Sequence, residues 1–110
     1  MGAKRADDFM RLFVVPGMHH CGGGTGPSEF GQGSVPAPAD DPSTNLAAAL
    51  EAWVEKGRAP EQVIARQVTP PGSAENNSLR TGLICAFPKR AKLASGADAQ
   101  RAESYSCRDP

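Results

Sequence analysis

Large apolar side chains are scarce in this sequence of 110 residues. Aromatic residues make up only 5% of it: Trp53, Tyr105 and the phenylalanines Phe9, Phe13, Phe30 and Phe87. A chain this short buries a modest share of its surface, so each missing bulky side chain weakens a self-sufficient core. Twelve glycines and ten prolines contribute another fifth of the chain, and these residues punctuate structure rather than fill it. The composition is that of a piece of a larger domain rather than of a free-standing globule. No apolar stretch approaches membrane-spanning length, so no membrane partner is expected. Twelve basic residues balance twelve acidic ones with no basic stripe to track phosphates, which argues against a nucleic-acid partner. The first ten residues are polar and charged, without the apolar centre of a signal peptide. Cysteine is sparse as well: three residues, an odd count that leaves one sulfur without an internal partner in an oxidising compartment.

What is present follows a readable order. Residues 3–10 fit the last turns of a helix or an irregular lead-in. Arg11-Leu12-Phe13-Val14-Val15 is a β-branched and aromatic run closed by Pro16-Gly17, which predicts a buried strand of a parallel sheet. From residue 17 to residue 42 glycines and prolines dominate, predicting a loop of about 25 residues, a length usually tied to function or disorder. Several capping residues then lead into Leu46, Leu50, Trp53 and Val54 at positions i, i+4, i+7 and i+8, a helical spacing. Gly57 stands where a C-terminal glycine cap belongs, and Pro60 prevents continuation. The single apolar stripe predicts that this helix covers a sheet face, with Trp53 as part of that packing. Residues 62–69 and 81–88 read as two further extended runs, separated by polar turn residues at 72–80. Residues 89–110 show little periodicity. The order strand, loop, helix, strand is α/β, with too few strands to close a sheet, so the remaining strands are expected from elsewhere.

The chemistry concentrates in Pro16-Gly17-Met18-His19-His20-Cys21-Gly22-Gly23-Gly24. A loop leaving the C-terminal end of a parallel strand is where open α/β sheets place active sites, and a general base there reaches a cleft from a rigid support. Three readings stand side by side. One imidazole is the base of a hydrolase, whose histidine comes last in chain order among α/β hydrolases. Alternatively, His19, His20 and Cys21 are zinc-type ligands, although three adjacent residues do not easily converge on one tetrahedral ion. The third reading is a surface histidine pair beside a disulfide cysteine. Gly22-Gly23-Gly24 lacks the lysine and helix start of a phosphate loop and reads as room around the histidines. Asp40 and Asp41 follow the histidines and read as solvated or helix-capping groups.

Taken together, these segments resemble the tannase and feruloyl esterase family of α/β hydrolases, which includes a plastic-monomer esterase. The resemblance rests on the Pro-Gly-Met-x-His-Cys-x-Gly-Gly loop at 16–24 and on Leu50-Glu51-Ala52-Trp53-Val54-Glu55-Lys56-Gly57-Arg58-Ala59-Pro60. It continues in Arg80-Thr81-Gly82-Leu83-Ile84-Cys85-Ala86-Phe87-Pro88, with one extra residue before the cysteine, and closes on Cys107. It spans residues 8–107 in order.

The resemblance implies an α/β fold class, here the C-terminal portion of an α/β-hydrolase fold: late strand, histidine loop, helix and extended tail, with an incomplete sheet. Residues 1–110 then form one segment of a single catalytic domain without an internal boundary. It implies His20, which precedes the cysteine, as the catalytic histidine of a Ser-Asp-His triad acting on esters of phenolic acids. His19 departs from the small residue usual at that position. It further implies that Cys21 bridges to a cysteine beside the nucleophilic serine, outside this chain, and that Cys85 and Cys107 pair with each other. None of the eight serines lies in a Gly-x-Ser-x-Gly or Cys-Ser setting, so the chain alone is expected to be inactive. The expected partners are a small phenolic ester and the remainder of the catalytic domain. No metal or cofactor is implied, and the location implied is secreted or periplasmic. The alternative is a non-catalytic, disulfide-stapled binding or inert module.

Overall fold

The computed structural model describes residues 3–32, 40–67 and 80–110. The expected loop at 33–39, the end of the run at 68–69 and the turn residues at 70–79 lie outside the described residues. A short helix α1 (Ala3–Ala6) is followed by an irregular stretch and then by helix α2 (Leu46–Lys56). Strands β1 (Gln62–Arg66) and β2 (Thr81–Cys85) pair antiparallel, with Ile64 opposite Leu83. Strands β3 (Arg90–Leu93) and β4 (Tyr105–Arg108) form a second antiparallel pair, with Arg90 opposite Arg108 and Ala91 opposite Cys107. A single turn of 3-10 helix, Ala102–Ser104, leads into β4.

The core sits on one face of the first pair. Phe30, Val63, Ala65 and Ile84 are buried together, and Phe13, Val15, Met18 and Leu46 pack against them. Alternation along β1 explains the choice: Val63 and Ala65 point inward from successive same-face positions. The two sheets are stapled by a disulfide between Cys85 and Cys107, with an S–S distance of 2.00 Å and a Cα separation of 5.7 Å.

Helix α2 starts and stops where the sequence places it. The Asn45 side chain accepts from the Ala47 and Ala48 N–H groups at 3.0 and 3.3 Å, satisfying two orphan donors of the first turn. Gly57 takes the left-handed conformation, φ 68°, and its N–H donates to the Trp53 carbonyl at 3.0 Å. Just before the cap, the Asp41 carboxylate accepts from the Ser43 N–H at 2.9 Å and the Ser43 hydroxyl at 2.8 Å. The Asp41 carbonyl accepts from the Thr44 and Asn45 N–H groups, so this aspartate builds the turn into the helix.

Three features differ from the sequence expectation. The run at 11–15 is not a strand of a parallel sheet: its ladder is one antiparallel bridge, Phe13 to Ala86, with the Phe87 N–H donating to the Leu12 carbonyl at 2.8 Å. A parallel strand needs a parallel neighbour, and among the described residues the run pairs only with the residues following β2, antiparallel. Its side chains still alternate, Phe13 and Val15 toward the core, Leu12 and Val14 exposed. Secondly, the buried face of α2 is its alanine face. Ala48 and Ala49 are buried, whereas Leu50 is 57% and Val54 78% exposed. The larger stripe is left beside an apolar groove of about 400 Å³ lined by Phe13, Leu46, Leu50 and Trp53. Trp53 is half-buried at that groove rather than in the core, and the Arg11 guanidinium lies 5.1 Å from its ring centroid. Arg11 also pairs with Glu61 at 3.0 Å. Finally, the β3–β4 pair has no counterpart in the expected periodicity, because every residue of β3 is exposed and no apolar alternation marks it.

Two outcomes follow from these contacts. The Cys85–Cys107 bridge closes a separation of 22 residues. Urea unfolding of Cys107→Ser is expected to show stability about 3 kcal/mol lower, the loop-entropy value for such a bridge. The Ser43 donors hold the Asp41 carboxyl below its ordinary value. This interaction is full above the ordinary aspartate range and is lost as pH falls through the lowered value. An NMR titration of the Asp41 carboxyl carbon should therefore show a midpoint below that of an unperturbed aspartate, and Ser43→Ala should raise it.

Candidate active site

The histidine loop is built by backbone pairing rather than by side-chain packing. Met18 and Gly24 face each other across an isolated antiparallel bridge. The His19 N–H donates to the Gly23 carbonyl at 3.3 Å, the Gly22 N–H to the His19 carbonyl at 3.4 Å, and the Gly26 N–H to the Gly17 carbonyl at 3.1 Å. Met18 enters the core margin and fixes the base of the loop, while His19, His20 and Cys21 are all exposed at its tip. The close approach of the two arms requires glycine. A Cβ on Gly24 would overlap the Gly17 carbonyl oxygen, and Gly24 itself has φ 99°. At the tip Cys21, a non-glycine residue, adopts a left-handed backbone with φ 65°, a conformation that costs an L-residue about 1–2 kcal/mol.

His20 and Cys21 meet through their side chains. Cys21 Sγ lies 3.2 Å from His20 Nδ1 and 3.7 Å from Nε2, and the thiol is free. His19 leaves the loop separately, and among the described residues no three His, Cys, Asp or Glu side chains gather as ion ligands. His20 is thus available as a base or nucleophile, accessible to solvent and to whatever docks on the loop tip.

The structure brings few other candidates to it. Among the described residues no serine hydroxyl bonds to His20: Ser43 binds Asp41, and Ser106 accepts from the Arg108 Nε at 3.1 Å. Cys85 and Cys107 lie apart from the loop in their own bridge. A cavity of about 360 Å³ opens at the loop's base, lined by Pro16, Gly17, Thr25 and Gly26 together with Arg80 and Tyr105. It does not include His20.

One group near the loop escapes sequence reasoning, the carboxylate of Glu29. Its residue is pinned by a reciprocal backbone pair with Arg66, each N–H donating to the other's carbonyl at 3.0 Å. Glu29 Oε1 lies 3.9 Å from the position a Cβ on Gly22 would take, two residues beyond His20. No motif flags this residue, because its proximity comes from the fold of residues 22–29 back onto β1.

With this geometry in hand, the comparisons are specific. The sequence model of one family, described as tannase and feruloyl esterase, matches residues 1–108. An uncharacterized esterase of Xanthomonas campestris is 39% identical over 106 residues, covering 96% of this chain and 18% of that protein. A probable feruloyl esterase B-1 of Aspergillus fumigatus is 39% identical over 90 residues, covering 82% of this chain and 16% of that protein. The crystal structure of an esterase from Aspergillus oryzae superposes with a TM-score of 0.82 at 30% identity, over 97% of this chain and 21% of that one. The chain spans less than a fifth of the curated relatives it matches, and it is a fragment of an α/β-hydrolase-like fold.

Gly23 and Gly24 both have positive φ, but only at Gly24 does a Cβ meet backbone. Gly24→Ala is expected to lower the thermal midpoint more than Gly23→Ala, since strain of the left-handed backbone is common to both and the carbonyl overlap is not.

Proposed function

The chain belongs to the tannase and feruloyl esterase family, and from that membership we propose that it supplies the general base of a serine carboxylic-ester hydrolase acting on esters of phenolic acids. His20 is that base. The observation that carries the reading is its presentation: an imidazole exposed at the tip of a loop whose arms are locked by backbone bonds, immediately before a free cysteine. The nucleophilic serine and the triad aspartate lie in the remainder of the catalytic domain, of which this chain is the C-terminal portion.

In this reaction the serine hydroxyl attacks the ester carbonyl while His20 takes its proton. His20 then returns that proton to the departing alkoxide, and in the second half it activates water in the same way. The aspartate orients the imidazole by accepting from the ring nitrogen that does not face the serine. In the free chain Cys21 Sγ lies against His20 Nδ1. A Cys21 bridged to a cysteine beside the serine carries no thiol hydrogen, which leaves that nitrogen to the acid. Such a bridge also holds the two loops together through sulfurs about 2 Å apart. The presence of one disulfide and the kinship with feruloyl esterases support a secreted or periplasmic location.

The experiment is an ester-hydrolysis assay on the complete catalytic domain with a chromogenic aryl ester. His20→Ala is expected to lower kcat by about 10⁴-fold or more, the scale of removing a triad histidine. His19→Ala should change it by no more than a few-fold. The 110-residue chain alone should show no turnover. Hydrolysis by the His20→Ala domain at the original rate would sink the assignment.

A further inference from the structure

We propose that Glu29 is a positioning residue for His20, bracing the histidine loop from behind and presenting one carboxylate oxygen to the segment that carries the nucleophile. The inference rests on the esterase reading above.

The starting point is an oxygen without a donor. Glu29 Oε2 is sealed from solvent and meets no hydrogen-bond donor among the described residues. A carboxylate oxygen in that state is costly, because desolvation removes its water and nothing replaces it. The backbone from which this side chain springs is held in place. Its backbone exchanges both hydrogen bonds with Arg66 at the end of β1, and the next residue, Phe30, is buried in the core. From this held backbone the carboxylate reaches the loop, with Oε1 3.9 Å from the position a Cβ on Gly22 would take.

Gly22 follows Cys21 directly and stands two residues beyond His20. The loop tip has little else to define its depth: His19, His20 and Cys21 are exposed, and the glycines offer no side chains. A carboxylate packed beside Gly22 limits how far the tip can sink toward β1. The same location explains the missing donor. For His20 to reach a serine, the nucleophile-bearing segment must come within bonding distance of this tip, as a Cys21 bridge also requires. That segment places its own N–H or cationic donors beside Glu29, and the oxygen without a donor among the described residues finds its partner there. Glu29 thus acts on the reaction through His20 and touches no reacting atom.

The test uses the complete catalytic domain with Glu29→Leu, Glu29→Gln and His20→Ala, assayed on a chromogenic aryl ester well below each thermal midpoint. Glu29→Leu is expected to lower kcat by about 10- to 100-fold, the scale of a misplacement near 1 Å, with KM within about twofold. Glu29→Gln, whose amide oxygen still accepts, is expected to recover most of that loss. Hydrogen exchange supplies a readout independent of turnover: the amides of residues 22–24 should exchange faster in Glu29→Leu while those of α2 keep their rates. Wild-type kcat in Glu29→Leu overturns the inference. So does a uniform acceleration of exchange across the domain, which marks a residue that merely supports the fold. If His20→Ala retains turnover, the esterase reading itself fails. If His20→Ala is inactive and Glu29→Leu is unimpaired, only the role of Glu29 falls.

Discussion

The two long edges of β1 organise nearly everything else in the chain. One edge pairs with β2. Along the other, Arg66 exchanges both of its backbone bonds with Glu29, and the Ile64 N–H donates to the Ser43 carbonyl at 2.8 Å. Backbone groups taken out of water must find partners, and the irregular residues 28–30 and 43–46 find theirs on this strand or on each other, as where the Leu46 N–H donates to the Phe30 carbonyl at 2.9 Å. The histidine loop, the helix cap and the core phenylalanine are therefore held in register by one short strand. Val63 and Ala65, 2% and 0% exposed, mark how completely its inner face is enclosed.

That dependence explains which parts of the fold were legible in the sequence. Local chemistry was read correctly at α2, where Asn45 and Gly57 act within a turn of themselves and need no distant partner. The runs at β1 and β2 were legible because alternation and β-branching are properties of the strands alone. The run at 11–15 was read as a sheet strand from the same signals, yet its pairing depends on neighbours that the described residues do not contain. The helix stripe misled for a related reason. Periodicity shows that a helix has an apolar face, but the depth of the available core decides whether leucines or alanines occupy it. Strand β3 left no trace, since a fully exposed strand has no pattern of burial to write into its residues, and β4 alternates over only four residues.

The site divides along the same line. The loop at 16–24 was visible as a motif, and resemblance separated His20 from His19 where local spacing could not. The cysteine pairing implied by that resemblance matches the bridge between Cys85 and Cys107. Glu29 was invisible, because its closeness to the loop depends on chain reversal between residues 22 and 29 and not on any spacing. Asp41, which reads as a solvated or helix-capping group, is engaged in the turn before α2.

The exposed hairpin at the far side of the disulfide has a bearing on how copies of the molecule behave toward one another. A bare strand offers unsatisfied backbone to any passing chain and is a template for stacking molecules edge to edge. Here the strand carries Arg90 and Lys92, and Arg108 stands directly opposite Arg90. Like charges facing across a ladder weaken it slightly, a loss the covalent link at Cys107 offsets. In exchange, a second copy approaching along that edge meets its own row of cations, so self-stacking there is opposed by electrostatic repulsion before any hydrogen bond can form.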